Sequence, residues 1–243
     1  MAALSLNNQK DEHLTENKFL VPYPSNPRFT GRTQFLQTLK DKLSAVVPEH
    51  HNHRIALYGM GGIGKTQCAL GYVYANRHVY DRIYWISAVD KSALMSGYQD
   101  IANAAKLRLQ NLSPMEIANA VLSWLGQQQQ QGWLLVIDNL DDIQVANGLL
   151  PENNPQNHTI ITTRNPNADG IPAEPLEVRL LDVDDSIHLL STLSRITVPA
   201  DSLEKLQAVD IVRTLGYLPL AIEQAAAYIR EVTVSFSGVF GRV

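Results

Sequence analysis

The sequence predicts an α/β fold, a parallel five-stranded sheet flanked by helices and followed by a small C-terminal helical subdomain. Between residues 54 and 181, strand-like segments alternate with helical ones, which is the order that builds a parallel sheet. The strand segments are almost continuously apolar or β-branched, as expected when helices cover both faces of a sheet. Between residues 183 and 231 only helical periodicity remains, and residues 232–241 alternate β-type residues with glycine.

Length and composition are those of a globular chain with room for a full core. The chain has 243 residues, of which 45% are hydrophobic and 18% charged, and this balance excludes disorder throughout. The length fits one large domain with an arm or a small second unit better than two complete domains. The net charge of −4 provides no basic surface for a phosphate backbone, so we expect no nucleic-acid partner.

Targeting and redox signals are also missing from the sequence. The longest apolar strand-like run is far shorter than the roughly 20 residues that cross a bilayer, and the polar start has no secretory apolar region. Cys68 is the only cysteine, so neither an internal disulfide nor a zinc cluster is expected. We therefore expect a cytoplasmic protein without a membrane partner.

The predicted elements begin after an extended arm. Residues 1–28 are polar and then punctuated by Pro22, Pro24 and Pro27, which cannot continue a helix, so the compact fold is expected to begin near Phe29. Periodicity and helix-start signals predict the elements that follow. The strands are Arg54–Tyr58, Arg82–Ser87, Trp133–Asp138, 159–163 and about 177–181, and the helices are 33–47, 65–77, 92–109, one capped by Ser113 and Glu116, 184–193, 203–215 and 219–230.

A glycine-rich motif lies between the first of these strands and its helix. Its residues are Gly59, Met60, Gly61, Gly62, Ile63, Gly64, Lys65 and Thr66. They satisfy the pattern G-x-x-x-x-G-K-[ST] between a strand and a helix, which is where this pattern cradles phosphates. The glycines let backbone N–H groups turn inward, Lys65 places its charge on the β- and γ-phosphates, and Thr66 supplies a Mg²⁺ ligand. Gln67, the next residue, is expected to join this nucleotide site.

Asp138 ends the third predicted strand, where P-loop NTPases hold Mg²⁺, so Asp138 and Thr66 are the candidate metal ligands. The next residue bears on the mechanism. Efficient hydrolases of this type generally carry an acidic residue there to polarise the attacking water, whereas this chain has Asn139, an amide that cannot accept the proton. We therefore expect a weak ATPase at most; Asp141 and Asp142 lie on the following turn.

Arg164 and Pro219 complete the candidate site. Arg164 follows the fourth predicted strand and therefore lies at the carboxyl edge of the sheet, where open α/β sheets bind ligands and a guanidinium can contact a γ-phosphate. Pro219 belongs to a Gly-Tyr-Leu-Pro-Leu-Ala segment that ends one helix and begins the next. Lys65, Asp138 and Arg164 are the candidate catalytic residues.

These motifs in this order resemble the NB-ARC domain, the nucleotide-binding switch of NOD-like receptors and related STAND ATPases, especially the fungal forms. The resemblance spans most of residues 26–230 and rests on several segments. They are 27–32, the glycine-rich motif, 82–87, 134–139, 160–164 and 216–221. The resemblance implies that the bound nucleotide is ADP or ATP with Mg²⁺, and that the chain is a signalling switch of the innate-immunity type.

The resemblance also implies individual roles and a division of the chain. Phe29, Thr30, Gly31 and Arg32 would lie near the adenine, Arg164 would sense the γ-phosphate, and Pro219 would abut the adenine. The expected parts are an arm over 1–28, a P-loop nucleotide-binding domain over 29–182, a helical subdomain over 183–231 and a divergent tail over 232–243.

Family members normally continue into a winged-helix unit whose histidine contacts the β-phosphate of ADP, and this sequence stops before it. Without that unit, nucleotide would exchange readily and the chain would self-associate or pair with full-length relatives.

Several alternatives remain open from the sequence. One is a non-hydrolysing interaction or regulatory module. A small P-loop kinase is less favoured, because the sequence has no arginine-rich lid and no obvious acceptor site. A GTPase is disfavoured because the Asn-Lys-x-Asp guanine motif is missing. The neighbouring His50, His51 and His53 are interpreted as part of a loop rather than as a metal site.

Overall fold

The computed structural model describes residues 16–45, 53–128, 132–166 and 170–232, together with residue 236. Within these ranges the chain forms strands β1–β6, helices α1–α7 and one short 3-10 turn. The strands are β1 Phe19–Leu20, β2 Arg54–Tyr58, β3 Arg82–Ser87, β4 Trp133–Asp138, β5 His158–Thr163 and β6 Glu174–Glu177. The helices are α1 Thr33–Ser44, α2 Lys65–Ala75, α3 Lys91–Ala104, α4 Pro114–Gln127, α5 Val183–Ser194, α6 Leu203–Thr214 and α7 Pro219–Val232.

The strands form one sheet in the order β1-β3-β4-β5-β2-β6, and every pair of neighbours is parallel. The predicted α/β class and the parallel sheet are confirmed. The count of five strands is wrong, because the part of the chain that the structure describes contributes six. The additional strand, β1, is two residues long and pairs with Ile83 and Tyr84 of β3, which is too short to produce a periodicity in the sequence.

Both ends of the sheet differ from the prediction. The last strand runs over Glu174–Glu177 rather than 177–181. It contains Pro175, which lacks a backbone N–H and is therefore tolerated only on an edge strand such as this one. At the other edge, residues before Phe29 already belong to the compact fold, because the Glu16 carboxylate accepts hydrogen bonds from Arg82 at 2.7 and 3.1 Å. The expectation that the fold begins near Phe29 is therefore wrong.

Apolar side chains cover both faces of the sheet. Helices α3 and α4 pack on one face, and α1 and α2 pack on the other. The predicted capping box begins α4: the Ser113 hydroxyl accepts a hydrogen bond from the Glu116 N–H, and the Glu116 carboxylate accepts one from the Ser113 N–H at 2.8 Å. Helix α3 ends at Ala104 rather than at the predicted residue 109. Two residues later, Lys106 takes a left-handed conformation, which does not continue a helix.

Helices α5, α6 and α7 form a third apolar cluster of their own, which includes Leu190, Val212, Ile222 and Phe236. Apart from Val232 and Phe236, the predicted tail over 232–243 lies outside the described residues. His50 and His51 also lie outside them, and His53 is buried in a turn just before β2. In the described ranges, no helix is long and apolar enough to cross a bilayer.

Candidate functional site

The glycine-rich motif forms the turn between β2 and α2. Gly59, Gly62 and Gly64 have φ angles of 149°, 77° and 97°, a region that side chains with a Cβ rarely adopt. A Cβ on Gly59 would also lie 2.8 Å from the carbonyl oxygen of Val178. These glycines are therefore required by the shape of the loop.

Lys65 lies inside this loop. Its side chain donates hydrogen bonds to the carbonyl oxygens of Gly59 at 2.7 Å and Met60 at 3.0 Å, and the residue is only 8% exposed. Burial lowers the pKa of Lys65, and the nearby carboxylates of Asp141 and Asp138 partly offset this effect. The loop therefore holds a positive charge at the base of a concave surface.

Thr66 and Asp138 lie in contact, as expected for a shared metal ion. Oδ1 of Asp138 accepts hydrogen bonds from the hydroxyl of Thr66 at 3.0 Å and from that of Thr162 at 2.6 Å. Burial raises the pKa of Asp138, while these two hydrogen bonds and the charge of Lys65 act in the opposite direction. One hydroxyl and one carboxylate beside the glycine-rich loop fit Mg²⁺, which is usually held by one or two protein ligands together with several waters.

The chain turns sharply after Asp138. Asn139 has a φ of 62°, and its N–H donates to the Thr162 hydroxyl at 2.9 Å. The N–H of Leu140 donates to the Thr162 carbonyl at 2.9 Å. This turn brings Asp141 to Arg164, whose backbone N–H and Nε donate to the two carboxylate oxygens at 2.6 and 2.7 Å.

A groove runs along the glycine-rich loop at the carboxyl edge of the sheet, and we call it the loop groove. Its lining residues are Gly61, Gly62, Gly64, Lys65, Thr66, Gln67, Val89, Asn139, Asp141, Asp142, Arg164, Pro219, Leu220 and Glu223. Arg164 approaches the loop closely, since a Cβ on Gly61 would lie 3.9 Å from Cδ of Arg164. The sequence-predicted residues Lys65, Thr66 and Arg164 therefore share one groove.

A second cavity, the arm pocket, lies beside the loop groove. Its lining residues are Asn26, Arg28, Phe29, Thr30, Arg32, Ile63, Gly64, Gln67, Cys68, Leu181, Leu189, Leu193, Pro219 and Glu223. Arg32 donates to the Ile63 carbonyl at 3.2 Å, and the Asn26 amide donates to Gln67 at 2.8 Å. Burial raises the pKa of the Cys68 thiol to about 11, so this thiol stays neutral near pH 7.

Most of the predicted site residues line one of these two cavities. Asp138 lines neither, and its hydrogen bond with Thr66 connects it to the loop groove. Gly59 and Met60 line neither and take part through their carbonyl oxygens, which bind Lys65. Gly31 also lies outside both cavities and forms a left-handed turn against the side chain of Asp185.

Four residues border both cavities, and sequence reasoning missed one of them. They are Gly64, Gln67, Pro219 and Glu223. Glu223 lies one helical turn after Pro219 on α7, and this spacing alone places the two residues on the same face of the helix. The contacts of Asn26, Asp141 and Thr162 have no comparable signal in the sequence, because they arise from tertiary packing.

Comparison with known proteins identifies the family. The NB-ARC domain family model matches residues 32–196. A nucleotide-binding leucine-rich repeat (NLR)-like protein of Hyaloscypha variabilis is 30% identical over 90% of this chain, which spans 24% of that relative. The regulatory protein AfsR of Streptomyces griseus is 24% identical over 83% of this chain and 21% of its own length. The chain thus spans about a quarter of the length of the curated relatives it matches.

Solved structures share the fold at low sequence identity. A STAND protein with a tetratricopeptide repeat sensor from Pyrococcus horikoshii superposes with a TM-score of 0.56 at 18% identity, over 82% of this chain and 30% of that one. Drosophila ORC bound to DNA gives a TM-score of 0.57 at 12% identity, over 97% of this chain and 66% of that one. Because the family model covers more than half of the chain, this protein belongs to the NB-ARC family of P-loop NTPases.

Proposed function

We propose that this protein is a signalling switch that binds ADP or ATP together with Mg²⁺. The observation that carries the proposal is the continuity of the two cavities at Gly64, Gln67, Pro219 and Glu223. The loop groove offers a buried cation and backbone N–H groups for phosphates, and the arm pocket offers Phe29 and other apolar surfaces for a base. The residues that line both cavities, including Glu223, would then lie beside the ribose.

Thr66 and Asp138 are the residues that would hold the metal ion. Bound Mg²⁺ would neutralise charge on the phosphates and orient them. Asp138 is already positioned for this role by the hydroxyl of Thr162. Lys65 would exchange its two carbonyl partners for phosphate oxygens, because a phosphate attracts an ammonium group more strongly than a neutral carbonyl does.

We propose that hydrolysis is slow. No carboxylate follows Asp138 directly, since the next residue is Asn139. Asp141 is a poor replacement for a general base. Burial opposes its ionisation, but hydrogen bonds from the backbone and side chain of Arg164 outweigh burial and lower its pKa below the usual value. A long-lived nucleotide state suits a switch better than a metabolic enzyme.

The helical subdomain gives the switch a moving part. The N–H of Leu220, at the start of α7, donates to the carbonyl oxygen of Gly62 at 3.3 Å, and Pro219 and Glu223 line both cavities. A nucleotide in the site would therefore contact the glycine-rich loop and α7 together. ADP and ATP can change the arrangement of these parts only through a difference in their contacts with each state.

A non-hydrolysing interaction module is the second candidate, and Asn139 is the observation that favours it. Both candidate functions include nucleotide binding, but only the switch would hydrolyse ATP. Single-turnover hydrolysis of Mg·ATP by the purified chain separates them, because the module would release no phosphate above the uncatalysed rate.

The first test of the proposal is the substitution Lys65→Ala. Loss of the charged contact to phosphate should weaken ADP and Mg·ATP binding by about 2 to 4 kcal/mol, which is at least about 30-fold in affinity. Isothermal titration calorimetry measures both affinities. Lys91→Ala is a matched control, because Lys91 begins α3 and lines neither cavity. Equal affinities for the unmodified chain and Lys65→Ala would contradict the proposal.

A further inference from the structure

Arg164 and Asp141 form an ion pair in the loop groove that involves both the guanidinium and the backbone N–H of Arg164. Nε and Nη2 of Arg164 lie 2.7 and 2.6 Å from the same oxygen of Asp141. The other carboxylate oxygen accepts the backbone N–H of Arg164 at 2.6 Å. One side chain therefore binds both the backbone and the guanidinium of the same residue, which fixes the direction in which that guanidinium points.

The pair leaves part of the guanidinium free for a ligand. Arginine has five N–H donors, and Asp141 occupies the edge formed by Nε and one hydrogen of Nη2. The donors of Nη1 and the second hydrogen of Nη2 have no other partner in the described part of the chain. Since the Arg164 side chain is 66% exposed, it would sample many rotamers if Asp141 did not hold it.

Asp141 is itself held in place by the turn that follows β4. Leu140 is fully buried, and the N–H groups of Asn139 and Leu140 both donate to Thr162 at the end of β5. Asp138 accepts a hydrogen bond from the hydroxyl of the same threonine. Asp138, the candidate metal ligand, and Asp141, which holds Arg164, therefore lie on one short segment that is hydrogen-bonded to Thr162 of β5.

We propose that Asp141 is a positioning residue that orients Arg164 toward the γ-phosphate and thereby raises the affinity of this protein for ATP relative to that for ADP. The inference rests on the proposed nucleotide-binding function and adds a specificity-determining residue to it. Asp141 touches neither the base nor the reacting atoms. It acts by restricting Arg164 before ATP arrives, so its contribution should appear with ATP and be absent with ADP, which has no γ-phosphate.

The test compares affinities for ADP and for a non-hydrolysable ATP analogue, both with Mg²⁺, by calorimetry. Asp141→Ala should lower the ratio of ATP-analogue affinity to ADP affinity by about tenfold, while ADP affinity stays within about twofold. Asp210→Ala is the matched control and should leave the ratio unchanged. Asp210 forms a comparable exposed ion pair with Arg213 at 3.1 Å on α6, and it lines neither cavity.

A double-mutant cycle separates positioning from a general structural effect. Arg164→Ala should lower the same affinity ratio, and adding Asp141→Ala to it should produce no further loss, because Asp141 then has no guanidinium to orient. Fully additive losses would overturn the inference, and so would a higher ratio in Asp141→Ala, which would make Asp141 a competitor of the phosphate.

The two proposals fail in different ways. An unchanged ratio in Asp141→Ala, with normal binding by the unmodified chain, would overturn the role of Asp141 and leave the nucleotide site intact. Absence of binding of either nucleotide to the unmodified chain would overturn the proposed function and the role of Asp141 together.

Discussion

Asn139 matters for two reasons: its backbone takes a left-handed conformation, and its side chain is an amide where a carboxylate could act as a general base. Its φ of 62° is tolerated by asparagine and aspartate far better than by most residues. Asn139→Asp should therefore keep the turn and place a carboxylate where a general base is missing. We expect single-turnover hydrolysis of Mg·ATP to rise by about 10²-fold, the lower end of what a positioned base contributes. Release of inorganic phosphate under single-turnover conditions measures this rate.

Asp138→Asn is the companion variant. It should remove the Mg²⁺ dependence of hydrolysis together with most of the activity, because the candidate metal ligand loses its charge. Rapid steady-state turnover by the unmodified chain would argue against slow hydrolysis. An unchanged rate in Asn139→Asp, with normal nucleotide affinity, would show that the missing carboxylate is not the cause.

At the scale of single residues, the sequence predicted what lies in a local motif. The glycine-rich loop, Lys65 and Thr66 are contiguous, Asp138 ends one recognisable strand, and Arg164 follows another. Asp141 could not be found in this way, whereas the helical spacing between Pro219 and Glu223 does place Glu223 beside the site. Asp141 reaches Arg164 across two strands through a left-handed turn, and no spacing in the sequence encodes that contact.

The packing of Phe29 against helix α2 gives a prediction at the scale of elements. Gly71 lies on α2 beneath the ring of Phe29, and a Cβ there would lie 2.9 Å from Cε1 of that ring. Gly71→Ala should displace Phe29 and open the arm pocket, lowering nucleotide affinity by about tenfold, since a displaced aromatic contact is worth about 1.4 kcal/mol. Calorimetry with ADP measures the affinity.

Gly126→Ala supplies the matched control for this prediction. Gly126 lies on α4, and a Cβ there would meet no atom within 4 Å. The substitution should stabilise the protein by about 0.5 to 1 kcal/mol through helix propensity and leave ADP affinity unchanged. An equal loss of affinity in both variants, or none in Gly71→Ala, would contradict the proposed place of Phe29 in the pocket.

The strands differ in how well the sequence predicts them. The central strands β3 and β4 have the predicted bounds, because helices cover both of their faces and every residue of β4 is buried. The edge strands β1 and β6 are short and partly exposed. Their pairing depends on contacts such as that of Lys18, whose carbonyl accepts the N–H of Ile83 at 2.8 Å, and such contacts leave no periodic pattern.

The stability of the whole molecule should depend on a buried histidine. His158 is 5% exposed and stacks on His53 with 5.5 Å between ring centroids. Its Nε2 faces the carbonyl oxygen of Pro155 at 3.3 Å and must donate there, so Nδ1 accepts from the Tyr80 hydroxyl at 2.6 Å. Protonation of Nδ1 would remove that acceptor. Burial, and then the neighbouring His53, lower the pKa of His158 to about 4.

This shift predicts acid sensitivity between about pH 6.5 and pH 4. In that window the unfolded chain protonates His158 and the folded protein does not, so stability falls as the pH falls. The loss should reach about 3 kcal/mol at pH 4. Urea unfolding at pH 7 and at pH 4.5 measures it, and His158→Gln should show a smaller loss than the unmodified chain. An identical pH dependence in both proteins would contradict the role of His158.

Nucleotide binding should also change which part of the molecule opens first. Helices α5, α6 and α7 have an apolar cluster separate from the two that cover the sheet, so they can open without unfolding the sheet. Leu220, Pro219 and Glu223 connect α7 to the loop groove. A nucleotide that contacts both sides therefore stabilises the closed arrangement by an amount that grows with its concentration.

Amide hydrogen exchange tests this coupling. With ADP at one hundred times its dissociation constant, exchange in α7 should slow by up to about 100-fold, equivalent to about 2.7 kcal/mol. Helix α4 is the internal reference, since no residue of Pro114–Gln127 lines the loop groove or the arm pocket. Saturation by nucleotide with no extra protection of α7 relative to α4 would mean that the helices do not sense the ligand. If ADP protects α7 more than α4, the nucleotide is coupled to the helical subdomain through the contact between α7 and the glycine-rich loop.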